Sequence, residues 1–68
     1  MDHEFLCSVG DKLMEYRTEK GMTRQEVHRK TGIPTSTLQK YEGGDIPIIR
    51  LKKLADLYGC EVKDFFSN

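Results

Sequence analysis

The sequence lacks the paired cysteines and long apolar runs that mark several common protein classes. Its two cysteines, Cys7 and Cys60, are far apart and form no CxxC spacing, so the sequence indicates neither a disulfide framework nor a zinc knuckle. No apolar run approaches the roughly 20 residues that cross a bilayer, and the start MDHEFLCSVG has no signal-peptide features. We therefore expect a complete cytoplasmic protein with reduced thiols and no membrane partner.

Catalytic and metal-binding constellations are also missing from the sequence. No serine or cysteine nucleophile has a recognisable base arrangement, and the closely spaced carboxylates are typical of solvated helix faces. The side chains that are chemically able to bind zinc are scattered and form no local pair: His3, Cys7, His28 and Cys60. The sequence thus predicts no enzyme, no metal, no cofactor and no small-molecule ligand.

An excess of charge of either sign is absent as well, since 11 Lys and Arg balance 11 Asp and Glu. This balance argues mildly against a strong nonspecific attraction to nucleic acid. The distribution is uneven, however, because formal charge is −2 over residues 1–21, +2 over residues 22–44 and 0 over residues 45–68. The basic excess falls on the segment that also carries the clearest local motif.

Strand signals are absent, and apolar residues recur with helical spacing, which predicts an all-α fold. With 68 residues and 37% apolar content, the chain has room for one small core and no separate catalytic domain. We expect a single domain over residues 1–68. Within it, residues 1–7 are predicted to form a less ordered N-terminal extension.

The first predicted helix runs from about residue 8 to residue 20. Val9, Leu13 and Tyr16 share one of its faces, as expected for a helix that packs on a core. Gly21 follows as the C′ residue, where glycine readily takes the left-handed conformation that ends a helix. This helix is therefore expected to form one wall of the core.

The start of the second helix is the best-marked local structure in the sequence. Thr23 and Glu26 form a capping box, and Met22 and Val27 occupy the two positions of a hydrophobic staple. Gly32 then ends the helix, and the proline that follows Ile33 in the sequence disfavours a helical conformation just beyond it. A short helix and a glycine-centred turn are predicted.

The third helix, over about residues 35–42, has one polar side and one apolar side. Four polar side chains lie within about 140° of one another on the helical wheel: Thr35, Ser36, Gln39 and Lys40. Leu38 and Tyr41 project from the opposite side, with Thr37 on the border. Two short helices at a steep angle form a helix-turn-helix, in which the second helix projects outward.

Such a polar face has two interpretations. Gln, Lys, Ser and Thr side chains are suited to base edges in the DNA major groove. An exposed polar face is also what any solvated surface helix has. The helix-turn-helix geometry favours the first interpretation.

Two further elements complete the predicted fold. A fourth helix begins after Asp45, with Pro47 in its first turn and Gly59 at its end. Its core face has the spacing i, i+3, i+4, i+7: Leu51, Leu54, Ala55 and Tyr58. A final helical turn starts at Glu61 and places three apolar residues on one side: Val62, Phe65 and Phe66.

The segment GDKLMEYRTEKGMTRQEVHRKTGIPTSTLQKYEGG resembles the lambda-repressor and Cro-like helix-turn-helix domains, the XRE family. The segment LKKLADLYGCEVKDFF is similar to the fourth and fifth helices of that family. The resemblance covers most of the chain. It implies a compact five-helix domain that binds DNA operators, usually as a dimer, and represses or activates transcription.

The resemblance also implies roles for individual residues. Base-reading or groove-facing roles fall on Thr35, Ser36, Gln39 and Lys40, with the first two nearest the bases. Phosphate contacts fall on Arg24, Thr37, Gly43 and Gly44. Arg17 and Glu42 occupy the positions of the family's structural salt bridge between helix 1 and the end of helix 3. The implied partner is double-stranded DNA.

Two departures from the family pattern are visible in the sequence. His28 stands where the family favours a small residue such as Ala, so either the ring slides outward or the packing between helices 2 and 3 opens. His28 is also open to two interpretations, a pH sensor or a partly exposed residue at a tolerant position. The connection after Glu42, GGDIP, is shorter than the common pattern, which bears on phosphate contacts from that loop.

Two functions are compatible with these features. The first is a sequence-specific transcriptional regulator that binds a palindromic operator as a homodimer. The second is an antitoxin-like or adaptor-like protein-interaction module that keeps the fold without reading DNA.

Cys60 is expected to be a buried structural thiol. A domain this small need not bury all four of its terminal apolar residues, Phe5, Leu6, Phe65 and Phe66, and any left exposed could form a dimer patch. Core packing explains Phe65, whereas Phe66 and Phe5 are open between the core edge and such an interface.

Overall fold

The computed structural model describes residues 3–66, with side chains from residue 8 onward. Within this range the chain forms four α-helices and a C-terminal 3₁₀ turn, with no strand. The elements are α1 (His3–Glu19), α2 (Arg24–Thr31), α3 (Thr35–Glu42), α4 (Ile48–Tyr58) and the 3₁₀ turn (Val62–Phe65). The all-α class is confirmed. The fifth element is a single 3₁₀ turn where an α-helix was expected.

Helix α1 begins earlier than the sequence pattern indicated, at His3 instead of near Ser8. It therefore includes part of the segment that was expected to be an extension, whose side chains, those of Phe5 and Leu6 among them, lie outside the described residues. The end of α1 was predicted well. Gly21 has a φ of +68° and donates its N–H to the Thr18 carbonyl at 2.9 Å, which closes the helix as a left-handed cap.

Helix α2 has the local chemistry that its sequence predicted. The Thr23 hydroxyl accepts the Glu26 N–H at 3.1 Å, and the Glu26 carboxylate accepts the Thr23 N–H at 3.3 Å, so the capping box is confirmed. At the other end Gly32 has a φ of +78° and donates its N–H to the His28 carbonyl at 2.7 Å. Both ends of α2 are thus set by residues within or next to it.

All four helices and the 3₁₀ turn contribute to one core. Its buried apolar members are Val9, Leu13, Val27, Ile33, Leu38, Tyr41, Leu51, Leu54, Ala55, Tyr58 and Phe65. Tyr16 packs at the edge of this cluster, edge-on to Phe65, with ring centroids 5.6 Å apart and planes at 84°. The core faces predicted for α1 and α4 are confirmed, and so is the burial of Phe65.

Three details near α4 and the chain end differ from expectation. Pro47 is the N-cap of α4, with φ −67° and ψ 148°, and so precedes the first turn in which it was placed. Phe66 does not share the buried side of Phe65, since it is 40% exposed. Cys60 is half-buried at the core edge, and burial raises the pKa of its thiol.

None of the described helices meets the length and apolarity that a membrane span requires.

Helix α1 lies directly against the C-terminal end of α3 at Gly10. A Cβ atom at Gly10 would lie 2.3 Å from the Glu42 carbonyl oxygen and 2.7 Å from the Gly44 nitrogen. Both neighbours are backbone atoms, so the close approach requires glycine. No role was predicted for Gly10, although a glycine inside a helical pattern is a signal for such contacts.

Tyr58 carries a polar group into the core. The side chain is 2% exposed, and its hydroxyl oxygen is buried without a hydrogen-bond partner among the described residues. Burial first, and the nearby Glu42 carboxylate second, raise its pKa from 10.0 to about 12, while Arg17 acts in the opposite direction. The neutral phenol is therefore the form that the folded state favours.

Tyr58→Phe is expected to leave the free energy of unfolding at pH 7 unchanged or to raise it by up to about 1 kcal/mol, because it removes a buried polar group without a partner. In the unmodified chain the pKa of Tyr58 in the folded state exceeds the unfolded value of 10.0. The neutral phenol's contribution to the free energy of unfolding is therefore complete below pH 10 and is lost as pH rises toward 12. Urea unfolding from pH 7 to 11.5 checks both points. A loss above about 1 kcal/mol at pH 7 would show that the hydroxyl makes a stabilising bond.

Candidate nucleic-acid interface

Helix α3 presents to solvent the polar side that its sequence predicted. Its four exposed polar side chains are Thr35, Ser36, Gln39 and Lys40. On the opposite side Leu38 is 0% exposed and Tyr41 is 8% exposed, and Thr37 is half-buried at the border. The structure thus brings the predicted base-reading residues together on one accessible helix face, which we call the α3 face.

The turn between α2 and α3 sets the direction of this face. The Thr31 hydroxyl donates to the Val27 carbonyl at 2.7 Å and accepts the Ile33 N–H at 3.2 Å. Ile33 is 3% exposed and so anchors the turn in the core, while Pro34 stands at the N-cap of α3 with φ −58°. The outward projection of α3 follows from these local bonds and this one buried side chain.

The structure shows how the helix-turn-helix accommodates His28 at a position where the family favours a small residue. Its Nδ1 lies 2.9 Å from the Ile33 carbonyl oxygen, and since a carbonyl only accepts, Nδ1 carries the proton. The ring is half-buried, while Val27 and Leu38 beside the turn are 0% exposed. The ring therefore lies at the edge of the α2–α3 contact and bonds the turn, and the packing beneath it stays closed.

Glu42, at the end of α3, joins three elements. Arg17 donates Nε to Glu42 Oε2 at 2.7 Å and Nη2 to Oε1 at 3.3 Å, and its Nη1 donates to the Met22 carbonyl at 2.9 Å. The side chains of Arg17 and Glu42 are 11% and 5% exposed. The expected structural pair therefore forms as a bidentate, largely buried ion pair.

Arg24 binds the same carboxylate, a contact that was not predicted from the sequence. Its Nε and Nη2 lie 3.0 Å and 2.9 Å from Glu42 Oε1, and its side chain is 38% exposed. Two guanidinium groups thus share one carboxylate, which leaves one uncompensated positive charge in the cluster. Because Arg24 and Glu42 are far apart in the chain, no local sequence signal pointed to this contact.

The loop after α3 uses its backbone donors internally. The Gly43 N–H donates to the Gln39 and Lys40 carbonyls at 3.1 Å each, and the Gly44 N–H donates to the Tyr41 carbonyl at 3.0 Å. Gly44 is buried and has a φ of +103°, whereas Gly43 is exposed. Of the two glycines, only Gly43 therefore presents backbone surface to an approaching phosphate.

Metal binding gains no support from this geometry. Among the residues whose side chains are described, no three His, Cys, Asp or Glu residues are close enough to hold a metal ion. His3 and Cys7 lie outside that set, so the prediction about them is not addressed. The chemistry that the site does offer is hydrogen bonding from a helix face, flanked by the Arg24 guanidinium.

A family model described as helix-turn-helix matches residues 13–65, which is most of the chain and includes α2, α3 and α4. The chain belongs to the Cro/C1-type helix-turn-helix family, the XRE family. Comparisons with curated proteins and with solved structures gave no significant match. The family consists of DNA-binding regulatory domains and is not typically enzymatic, so the chain is a DNA-binding helix-turn-helix regulator.

Proposed function

We propose that this regulator binds a specific operator by placing α3 in the major groove. The observation that carries the proposal is the exposed polar α3 face, held outward by the buried anchors Leu38 and Tyr41. Gln can bond adenine through two atoms, Lys can bond guanine, and Ser or Thr adapts to either. The proposed base-reading residues are Thr35, Ser36, Gln39 and Lys40.

Phosphate contacts are proposed beside that face. Arg24 directs Nε and Nη2 toward Glu42, and its partial exposure leaves other guanidinium N–H groups directed toward solvent. A carboxylate that holds part of a guanidinium also limits its rotation, so less entropy is lost when a phosphate binds. Thr37 and the exposed backbone of Gly43 flank the same face. Gly44 is proposed to shape the loop, because it is buried whereas Gly43 is exposed.

We further propose that two copies act as a homodimer on a palindromic operator, with half-sites about one helical turn, roughly 34 Å, apart. Small size and the habit of the family support this proposal. Of the four apolar residues considered for a dimer patch, Phe65 is excluded by burial, and Phe66 remains accessible. A palindrome among selected duplexes would support the two-fold arrangement directly.

The test combines duplex selection from a random pool with two variants. Arg24→Ala is expected to weaken binding to all sequences alike and to reduce the slope of log K against log salt by about 0.9, because one phosphate contact is lost. Gln39→Ala is expected to relax preference at one base pair by about 1–3 kcal/mol, with little change in the salt slope. Fluorescence anisotropy on selected and scrambled duplexes at several salt concentrations measures both effects.

Lys63→Gln is the matched control, since it removes one positive charge from the 3₁₀ turn, outside the proposed interface. Its salt slope should equal that of the unmodified chain. Losses of the same size on every sequence from Arg24→Ala and Gln39→Ala would contradict the proposed roles. No salt-sensitive binding to any duplex would instead favour the protein-interaction module, which the zero net charge supports.

A further inference from the structure

Four large apolar side chains are exposed in the described part of the chain. The two most exposed of them lie on the outer surface of α4. Ile48 is 66% exposed and Ile49 is 75% exposed. Lys52 and Lys53 follow Ile49 at i+3 and i+4 and therefore lie on the same side of the helix. A shallow groove at this position, which we call the α4 face, is lined by Ile49, Arg50, Lys52, Lys53 and Asp56. Three cationic side chains and one carboxylate leave it with a formal charge of +2.

A surface of opposite character lies on α1. Five exposed residues follow one another on its outer side with helical spacing and form what we call the α1 face: Asp11, Met14, Glu15, Thr18 and Glu19. Three carboxylates give the α1 face a formal charge of −3, and Met14 is 42% exposed among them. Acidic residues at i, i+4 and i+8 repel one another, so cations from outside would stabilise this helix.

We propose that the α4 face of one copy binds the α1 face of a second copy. The charges of the two faces are opposite, and each face has an exposed apolar side chain next to its charges, Ile49 on one and Met14 on the other. Pairing either face with itself would place like charges together. The contact is therefore head-to-tail, with different surfaces on the two copies. It goes beyond the proposed function and requires no DNA.

The ion pair and the hydrogen bond already present leave the α4 face accessible. Lys52 Nζ lies 2.8 Å from Asp56 Oδ1, but the two side chains remain 70% and 64% exposed. Lys53 Nζ donates to the Thr31 carbonyl at 3.2 Å and is also exposed. Exposed contacts of this kind are weak and exchange readily. The association itself rests on a few surface charges and two apolar groups, so its Kd is on the order of 1 mM and it weakens with salt.

The test uses two charge-reversed chains and their mixture. The first is Lys52→Glu/Lys53→Glu, which reverses the α4 face, and the second is Asp11→Lys/Glu15→Lys, which reverses the α1 face. At about 1 mM and low salt, sedimentation equilibrium of the unmodified chain is expected to show a mass that rises with concentration and returns to the monomer value at ~1 M salt, where screening is nearly complete.

Each reversed chain alone is expected to lose this salt-sensitive association, whereas an equimolar mixture associates again, because the first chain keeps the original α1 face and the second keeps the original α4 face. In the mixture, amide shifts of the isotope-labelled first variant should change on α4 and α1 alone. Ile49→Ser tests the apolar part of the contact and is expected to weaken association of the otherwise unmodified chain about threefold or more. All substituted positions are exposed, so circular dichroism should show unchanged helix content.

Three outcomes would overturn the proposal. The first is a mixture of reversed chains that stays monomeric, and the second is a dimer of the unmodified chain that neither reversal changes, since that dimer uses other surfaces. The third is a monomer whose α4-face amides shift only when duplex DNA is added, since the face then serves nucleic acid. The sedimentation experiments contain no DNA and the operator experiments measure binding to duplexes. Failure of this contact and failure of operator binding are therefore seen in different measurements.

Discussion

Gly10→Ala is expected to remove much of the stability of this domain. The added Cβ would lie 2.3 Å from the Glu42 carbonyl oxygen and 2.7 Å from the Gly44 nitrogen, so α1 and the end of α3 would have to separate. Overpacking of this kind costs about 1–3 kcal/mol and occasionally more. We expect about 3 kcal/mol, against a total of roughly 3–10 kcal/mol for a chain of this size.

Urea unfolding followed by circular dichroism measures this loss. Gly43→Ala is the matched control, because Gly43 has an ordinary φ of −87° and its nearest contact to an added Cβ is the Lys40 carbonyl oxygen at 3.3 Å. The control should change the unfolding free energy by less than about 1 kcal/mol. Equal stability of the two variants would mean that α1 and α3 can separate without cost.

Glu42→Ala is expected to cost about 3 kcal/mol of unfolding free energy. The Glu42 side chain is 5% exposed and bonds both Arg17 and Arg24, so its removal leaves Arg17, whose side chain is 11% exposed, without its carboxylate. Removing one partner of a buried ion pair costs about 3–5 kcal/mol, because an uncompensated charge stays in the protein. Arg24 is 38% exposed and can be solvated, so we place the loss at the lower end.

Thermal and urea unfolding of Arg24→Ala, and of Arg17→Leu and Glu42→Leu alone and combined, separate these contributions. Arg24→Ala removes the exposed partner and should cost below about 1 kcal/mol. Arg17→Leu combined with Glu42→Leu removes both buried charges and should cost less than the two single changes together. If Arg24→Ala proved as costly as Glu42→Ala, the exposed arginine would be the principal partner of the carboxylate.

Helix ends were predictable because their chemistry is local. Thr23 and Glu26 are three residues apart, and the hydrogen bonds of the capping box join only those two residues. Gly21, Gly32 and Gly59 each end a helix with a positive φ, a conformation that glycine adopts without steric cost. The α3 face followed from the helical period and two apolar anchors. The exact count of helices did not, since a four-residue 3₁₀ turn has almost no periodic signal.

Two of the three contacts that the sequence did not reveal join residues far apart in the chain. Gly10 meets the end of α3, and Arg24 bonds Glu42 across the helix-turn-helix. His28 bonds the carbonyl of Ile33, which depends on the angle of the turn as well as on spacing. Each of these depends on where one backbone lies relative to another, which no residue type specifies by itself.

The sequence by itself determined the all-α class, the two helices of the motif, their caps and the polar side of α3, because each depends on side chains within one or two helical turns. The tertiary structure alone decided how close α1 comes to α3, that Arg24 shares Glu42 with Arg17, and which backbone donors of the loop are already used. Those features depend on packing one core, where the fit of distant backbones decides which polar groups remain available to a partner.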